Sequence, residues 1–190
     1  MVLIGVLALQ GDFAEHKAKL ASLGAQTIEI RQLKDLEKPL DGLVLPGGES
    51  TVQGKLLADL GLLKSLRERI QQGLPVLATC AGLILLAENV ENQAKRYLGT
   101  LPVTVKRNAY GRQLGSFATA LDFADLGQVP ATFIRAPYIS EVEDEVEILS
   151  KHQGKIVAAR YRNQIGLSFH PEVDENDNIH SYFLKICQTK

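Results

Sequence analysis

GLPVLATCAGLILLAE, residues Gly73 to Glu88, decides how the rest of the chain is read. Pro75 to Ala78 is a short apolar run behind the breaker pair Gly73 and Pro75, which predicts a buried strand. Leu83 to Glu88 is rich in strong helix formers. Cys80 therefore falls at a strand-to-helix turn. By residue type alone it could be a small buried hydrophobe. At such a turn, however, the first N–H groups of the helix lack intrahelical partners, and the positive end of the helix dipole favours a thiolate. Thr79, Ala81 and Gly82 are small and leave room for a substrate and a sharp bend, the thiol form of a nucleophile elbow.

The same rhythm runs outward from this turn. Val2 to Leu9 predicts a buried strand and Phe13 to Leu23 a helix stopped by Gly24. Gln26 to Ile30 and Leu43 to Leu45 are further strands, and Thr51 to Gln72 is helical with a break near Gly61. Apolar strands alternating with helices imply an α/β fold: a mainly parallel sheet covered on both faces, hence three layers, with ligands at the carboxyl ends of its strands. Beyond residue 100 the pattern turns to successive strands at Thr100 to Lys106, Ser116 to Phe123, Ala131 to Arg135, Val146 to Ser150, Lys155 to Arg160 and Gln164 to Phe169. These are expected to extend the sheet in mixed or antiparallel fashion. Ile179 to Cys187 predicts a closing helix, with Cys187 on its core face. The charge run EVEDEVE, Glu141 to Glu147, reads as a solvated turn and strand edge.

With 190 residues, 45% hydrophobic and 23% charged, the chain suits a single globular domain spanning 1–190. A net charge of −1 gives no electrostatic footprint for nucleic acid or an anionic membrane. The two cysteines do not make a disulfide framework, which points to a reducing compartment. The apolar start MVLIGVLALQG has no basic region and runs into Asp12, Glu15 and His16, unlike a secretory signal. No apolar run approaches the roughly 20 residues of a membrane span. A cytoplasmic location is expected.

A cysteine nucleophile needs a base, and His170 stands out among the four histidines. It follows the apolar IGLSF and opens HPE; in an extended segment residues two apart point the same way, so Glu172 could hold one imidazole nitrogen while the other faces the thiol. A surface His and Glu ending a strand would look the same. LPGGEST, Leu45 to Thr51, ends another strand: Gly47 and Gly48 let backbone N–H groups approach a ligand, as an oxyanion hole, a phosphate cradle or a plain glycine turn before a capped helix. Glu49 and the lack of a following lysine weigh against phosphate. KRNAYGRQ, Lys106 to Gln113, and FIRAP, Phe133 to Pro137, place arginines in apolar settings where each needs a carboxylate, from an internal ion pair or from a ligand.

Taken together, LALQG, EH, LPGGEST, TCAGL, RNAYGRQ, SF, FIRAP, IVAAR and SFHPE resemble, in order and spacing, the class I glutamine amidotransferase domains. RNAYGRQ with FIRAP narrows the resemblance to the glutaminase subunits of pyridoxal 5'-phosphate synthases, and it covers the chain from Gly5 to Glu172. The resemblance implies a flavodoxin-like core and hydrolysis of L-glutamine to L-glutamate and ammonia through a γ-glutamyl thioester. It implies Cys80 as nucleophile, His170 as base and Glu172 as the group orienting that base. Gly47, Gly48, Glu49, Arg107, Ile134 and Arg135 would contact glutamine, and Gln10 would lie on the segment facing a separate synthase subunit. An oxyanion would rest on the N–H groups of Gly48 and Ala81. No metal or cofactor is implied. Ala78 stands where the family has glycine, which could tighten the elbow. The competing readings are a related α/β cysteine hydrolase acting on another amide, and a docking subunit that has lost its chemistry.

Overall fold

The computed structural model describes residues 1–107 and 115–189. The elbow strand, β4 (Val76–Thr79), lies at the centre of a ten-stranded sheet. Its neighbours are β3 (Gly42–Leu45) and β12 (Gln164–Leu167), both parallel to it. All three are buried at every residue, as their nearly continuous apolar sequences require for strands covered on both faces. Beyond β3 come β1 (Leu3–Leu7) and β2 (Gln26–Ile30), again parallel. On the other side, β11 (Lys155–Tyr161) pairs antiparallel with β12, β9 (Tyr138–Val142) and β10 (Glu147–His152). β6 (Leu101–Lys106) pairs antiparallel with β9, and β5 (Ala87–Val90) closes that edge. The sheet is thus parallel through β12 and mixed beyond it.

Period-two alternation divides the core. Leu43, Leu45, Val76 and Ala78 join one cluster, while Val44, Leu77, Ile165 and Leu167 join the other. The first is covered by α2 (Ser50–Asp59), α3 (Leu62–Gln71) and α4 (Ala81–Leu86). Leu62, Leu66 and Ile70 recur every four residues along α3 and are buried, so one stripe of that helix faces the sheet. The second cluster is covered by α1 (Phe13–Ser22), α5 (Asn178–Gln188) and a two-stranded ribbon, β7 (Ser116–Phe123) with β8 (Gly127–Ile134).

Several expectations need correction. The helix after Cys80 stops at Leu86, and Ala87 to Val90, including Glu88, forms β5. The cause lies further along the chain: the N–H groups of Leu98 and Thr100 take the carbonyls of Leu85 and Leu86, each at 3.0 Å, so α4 cannot propagate. β7 and β8 do not extend the sheet. They form a separate hairpin that lays Phe133 against Phe169, with ring centroids 5.7 Å apart. β9 and a 3-10 turn at Leu33–Glu37 carry little periodicity and have no counterpart among the expected elements. Glu141, Glu143, Asp144, Glu145 and Glu147 are exposed, as a solvated charge run should be. Among the described residues no helix is long and apolar enough to cross a membrane.

Candidate active site

Four adjacent strands deliver the site at their carboxyl ends: β1 runs into Gln10 and Asp12, β3 into Gly47 to Glu49, β4 into Cys80, and β12 into His170. Together with Ser50, Ala81, Ile84, Arg107, Ile134, Arg135 and Pro137, most of these residues line one cleft of about 420 Å³. That is a volume suited to a small polar ligand.

Cys80 adopts φ 49° and ψ −104°, a conformation that L residues rarely hold. Its own N–H is fixed by the Leu167 carbonyl at 2.8 Å, anchoring the elbow to β12. The bend depends on the glycine at position 82, where a Cβ would collide with the backbone oxygen of Leu45. Ala78 causes no such difficulty. It is fully buried in β4, opposite Gly166 in the parallel register, so its methyl fills core space and the elbow forms around it.

His170 is buried beside the sulfur. Its Nδ1–H donates to Oε1 of Glu172 at 2.5 Å, which leaves the other ring nitrogen for Cys80. Burial alone would lower its pKa; hydrogen bonding to Cys80 and to Glu172 outweighs that and raises it to about 10. The imidazole therefore carries its proton beside the sulfur at neutral pH. The expected extended HPE segment is instead a 3-10 turn, Pro171–Val173, with Pro171 at its start. The His–Glu contact is made by that turn and not by strand alternation.

The loop after β3 is packed against this pair. A Cβ on Gly47 would run into the His170 ring, and one on Gly48, where φ is 149°, into Oε1 of Gln10. The Gly47 carbonyl accepts from the N–H of Asp12 at 3.1 Å, and the N–H of Glu49 donates to Gln10 Oε1 at 2.8 Å. Gln10 is thereby bonded directly to the candidate substrate loop. Glu49 is exposed at the rim.

The two arginines are less buried than their apolar contexts suggested. Arg135 is exposed, with φ 46°, at the end of β8, where its N–H donates to the carbonyl of Gly115. Ile134 beside it offers its carbonyl to Cys80 Sγ at 3.8 Å. Arg107, at the end of β6, reaches Thr51 Oγ1 at 3.5 Å and Gln93 Oε1 at 3.4 Å. Among the described residues no carboxylate pairs with either arginine, which leaves both cations available at the cleft. Residues 108–113 of the Lys106–Gln113 stretch lie outside the described residues.

Sequence reasoning missed several members of the site. Asp12 Oδ2 lies 3.5 Å from His170 Nδ1, and burial raises its pKa despite the opposing effect of that ring. With Glu172 it could hold a cation at His170, but only by displacing the proton between Nδ1 and Oε1. Its place in the turn between β1 and α1 was a usable signal. His16 falls in the EH pair of the resemblance with no role attached to it, and His180, likewise buried behind Glu172, gave no signal.

The geometry agrees with what the chain is similar to. The model of the SNO glutamine amidotransferase family matches residues 6–189. The chain belongs to that family. It is therefore an enzyme of the glutamine amidotransferase class. It is 61% identical over 181 residues, 95% of this chain and 91% of the relative, to the pyridoxal 5'-phosphate synthase subunit PdxT of Desulfitobacterium hafniense. It is 50% identical over 190 residues, 98% of both chains, to the PdxT of Streptococcus pneumoniae. A solved glutamine amidotransferase superposes with a TM-score of 0.93 at 41% identity, covering 98% of this chain and 99% of that one.

Proposed function

We propose that the chain releases ammonia from L-glutamine for a synthase subunit that makes pyridoxal 5'-phosphate, using Cys80, His170 and Glu172. The observation that carries this reading is the His170 ring, set between the Cys80 sulfur and the Glu172 carboxylate. The names of the PdxT relatives support the product.

The Cys80 thiolate attacks the side-chain amide carbon of glutamine, and the carbonyl π electrons move onto oxygen. The backbone N–H groups of Gly48 and Ala81 stabilise that oxyanion. His170 gives its proton to the amide nitrogen; the C–N bond breaks, ammonia leaves and a γ-glutamyl thioester remains. Water then attacks the thioester while His170 takes its proton, and glutamate departs as the thiolate re-forms. Glu172 keeps the ring oriented and offsets its positive charge throughout. Arg107 and Arg135 are the cations available for the substrate carboxylate, and Glu49 is the carboxylate available for its ammonium.

Ammonia escaping into neutral water becomes mostly ammonium, which is not a nucleophile, so the ring-building chemistry belongs to a docked partner. Gln10 faces that partner. Its hydrogen bond to Glu49 gives docking a direct route to the glutamine loop. The test is glutamate release from glutamine with and without the cognate synthase subunit, beside Cys80→Ala. Stimulation by the subunit and loss in Cys80→Ala support the reading; equal rates with and without the subunit contradict the coupling, and an active Cys80→Ala contradicts the chemistry.

A further inference from the structure

Behind Glu172 lies a second polar cluster that the reaction as written does not use. His16 on α1 and His180 on α5 are both completely buried. His16 Nδ1 is 2.9 Å from His180 Nε2. On the other side of the ring, His16 Nε2 is 3.2 Å from Thr79 Oγ1 and 3.4 Å from Glu172 Oε2. Side chains of α1, α5 and β4 thus meet at His16, whose ring faces the far oxygen of the carboxylate that holds His170. Two imidazoles sealed in a core are costly unless their ring nitrogens are matched to partners.

Chemistry fixes where the protons sit. An ionised carboxylate only accepts, so the nitrogen facing Glu172 must be N–H. His16 is then the Nε2–H tautomer, and its Nδ1 accepts from His180 Nε2–H. This leaves His180 Nδ1 as a bare lone pair. That atom is buried and has no hydrogen-bond partner among the described residues. An unpaired acceptor is the less costly orphan. The opposite tautomers would turn a lone pair of His16 towards the carboxylate and strand an N–H of His180 in the core.

Both rings stay neutral near pH 7. Burial, then the neighbouring His180 and His170, hold the pKa of His16 well below its usual value. Burial, then Lys19, lower His180 to about 4, with Asp177 opposing. Glu172 is the carboxylate facing His16. A neutral donor can steady this carboxylate without drawing its charge away from His170.

We infer that His16 is a positioning residue: its Nε2–H, bonded to Thr79 next to the nucleophile and set 3.4 Å from the otherwise unpartnered Oε2 of Glu172, steadies that carboxylate electrostatically, and His180 fixes the tautomer that makes this possible. The inference rests on the triad proposed above and adds its support.

Two measurements test it. Imidazole ¹H–¹⁵N spectra of the unaltered full chain should show His16 neutral and protonated at Nε2 across about pH 6 to 8. An Nδ1–H tautomer, or titration of His16 within that range, overturns the inference. In glutaminase assays with the synthase subunit present, His16→Leu should lower kcat about 10- to 100-fold with KM within about twofold, and His16→Gln, which restores an N–H at that reach, should recover most of it. A His16→Leu enzyme with wild-type kcat, or a Gln variant no better than Leu, overturns the inference provided wild type is active and Cys80→Ala is not. An inactive wild type, or an active Cys80→Ala, instead overturns the proposed triad. If His16→Leu does not fold, the spectra on the unaltered chain still decide.

Discussion

The Nδ1–H of His170 meets Oε1 of Glu172 at 2.5 Å across a single intervening proline. Pro171 starts the 3-10 turn that brings the two side chains to one side, while the N–H of His170 is tied to the Thr132 carbonyl of β8 at 2.8 Å. Ring and carboxylate are thereby held by two different parts of the fold, so neither is free to drift when substrate enters.

Replacing that carboxylate should be felt in chemistry more than in binding. Glu172→Gln removes an interaction that helps hold the His170 pKa at about 10. The imidazolium should then lose its proton at lower pH, and the nucleophile proposed at Cys80 should lose its cationic neighbour. We expect kcat to fall by about 10²- to 10⁴-fold with little change in KM, and alkylation of Cys80 at neutral pH to slow. Steady-state kinetics and iodoacetamide labelling against pH read both effects; an unchanged kcat would remove Glu172 from the mechanism.

The elbow itself is testable through Gly82. A methyl there meets the Leu45 backbone oxygen, which no side-chain rotation can relieve. Gly82→Ala should destabilise the fold by about 1–3 kcal/mol, as overpacking of a tight contact does. Chemical denaturation measures it. Because the shift would displace α4 and the Cys80 turn together, activity should fall even under conditions where the variant is folded.

Stability should decline on both sides of neutrality, for opposite reasons. His180 is depressed to about 4 in the fold and His16 is also well below 6.5. The unfolded chain therefore binds protons that these rings refuse, and their contribution is full above 6.5 and lost as pH falls below it, for His180 through about 4. For His180 that loss amounts to about 3 kcal/mol. His170 is raised, so its contribution is full below 6.5 and is lost as pH rises through about 10. Thermal unfolding across pH should show both limbs, and His180→Leu should flatten the acid one.

How far these features can be read in the sequence depends on how local their causes are. β4 and the Cys80 turn follow from a short apolar run, a proline and small residues, all within one stretch. The length of α4 does not, because Leu98 and Thr100, which end it, lie on a distant return of the chain. The order of residues in HPE pairs Glu172 with His170, but through strand geometry where the fold uses a 3-10 turn. His16 and His180 look like ordinary members of two amphipathic helices. They meet across 164 residues of chain, and only the packing of α1 and α5 on one sheet face brings them together. The hairpin β7–β8 reads as sheet strands because alternation within a pair looks the same in either setting.

At the root of the proposed chemistry, His170 makes Cys80, and not Cys187, the nucleophile. This is tested most directly by treating the enzyme with an electrophilic glutamine analogue in the presence of the synthase subunit and mapping the adduct by peptide mass. The expected result is a single adduct on Cys80, formed at least about 100-fold more slowly in His170→Asn. An adduct on Cys187, or equal labelling of Cys80 with and without the imidazole, would contradict it.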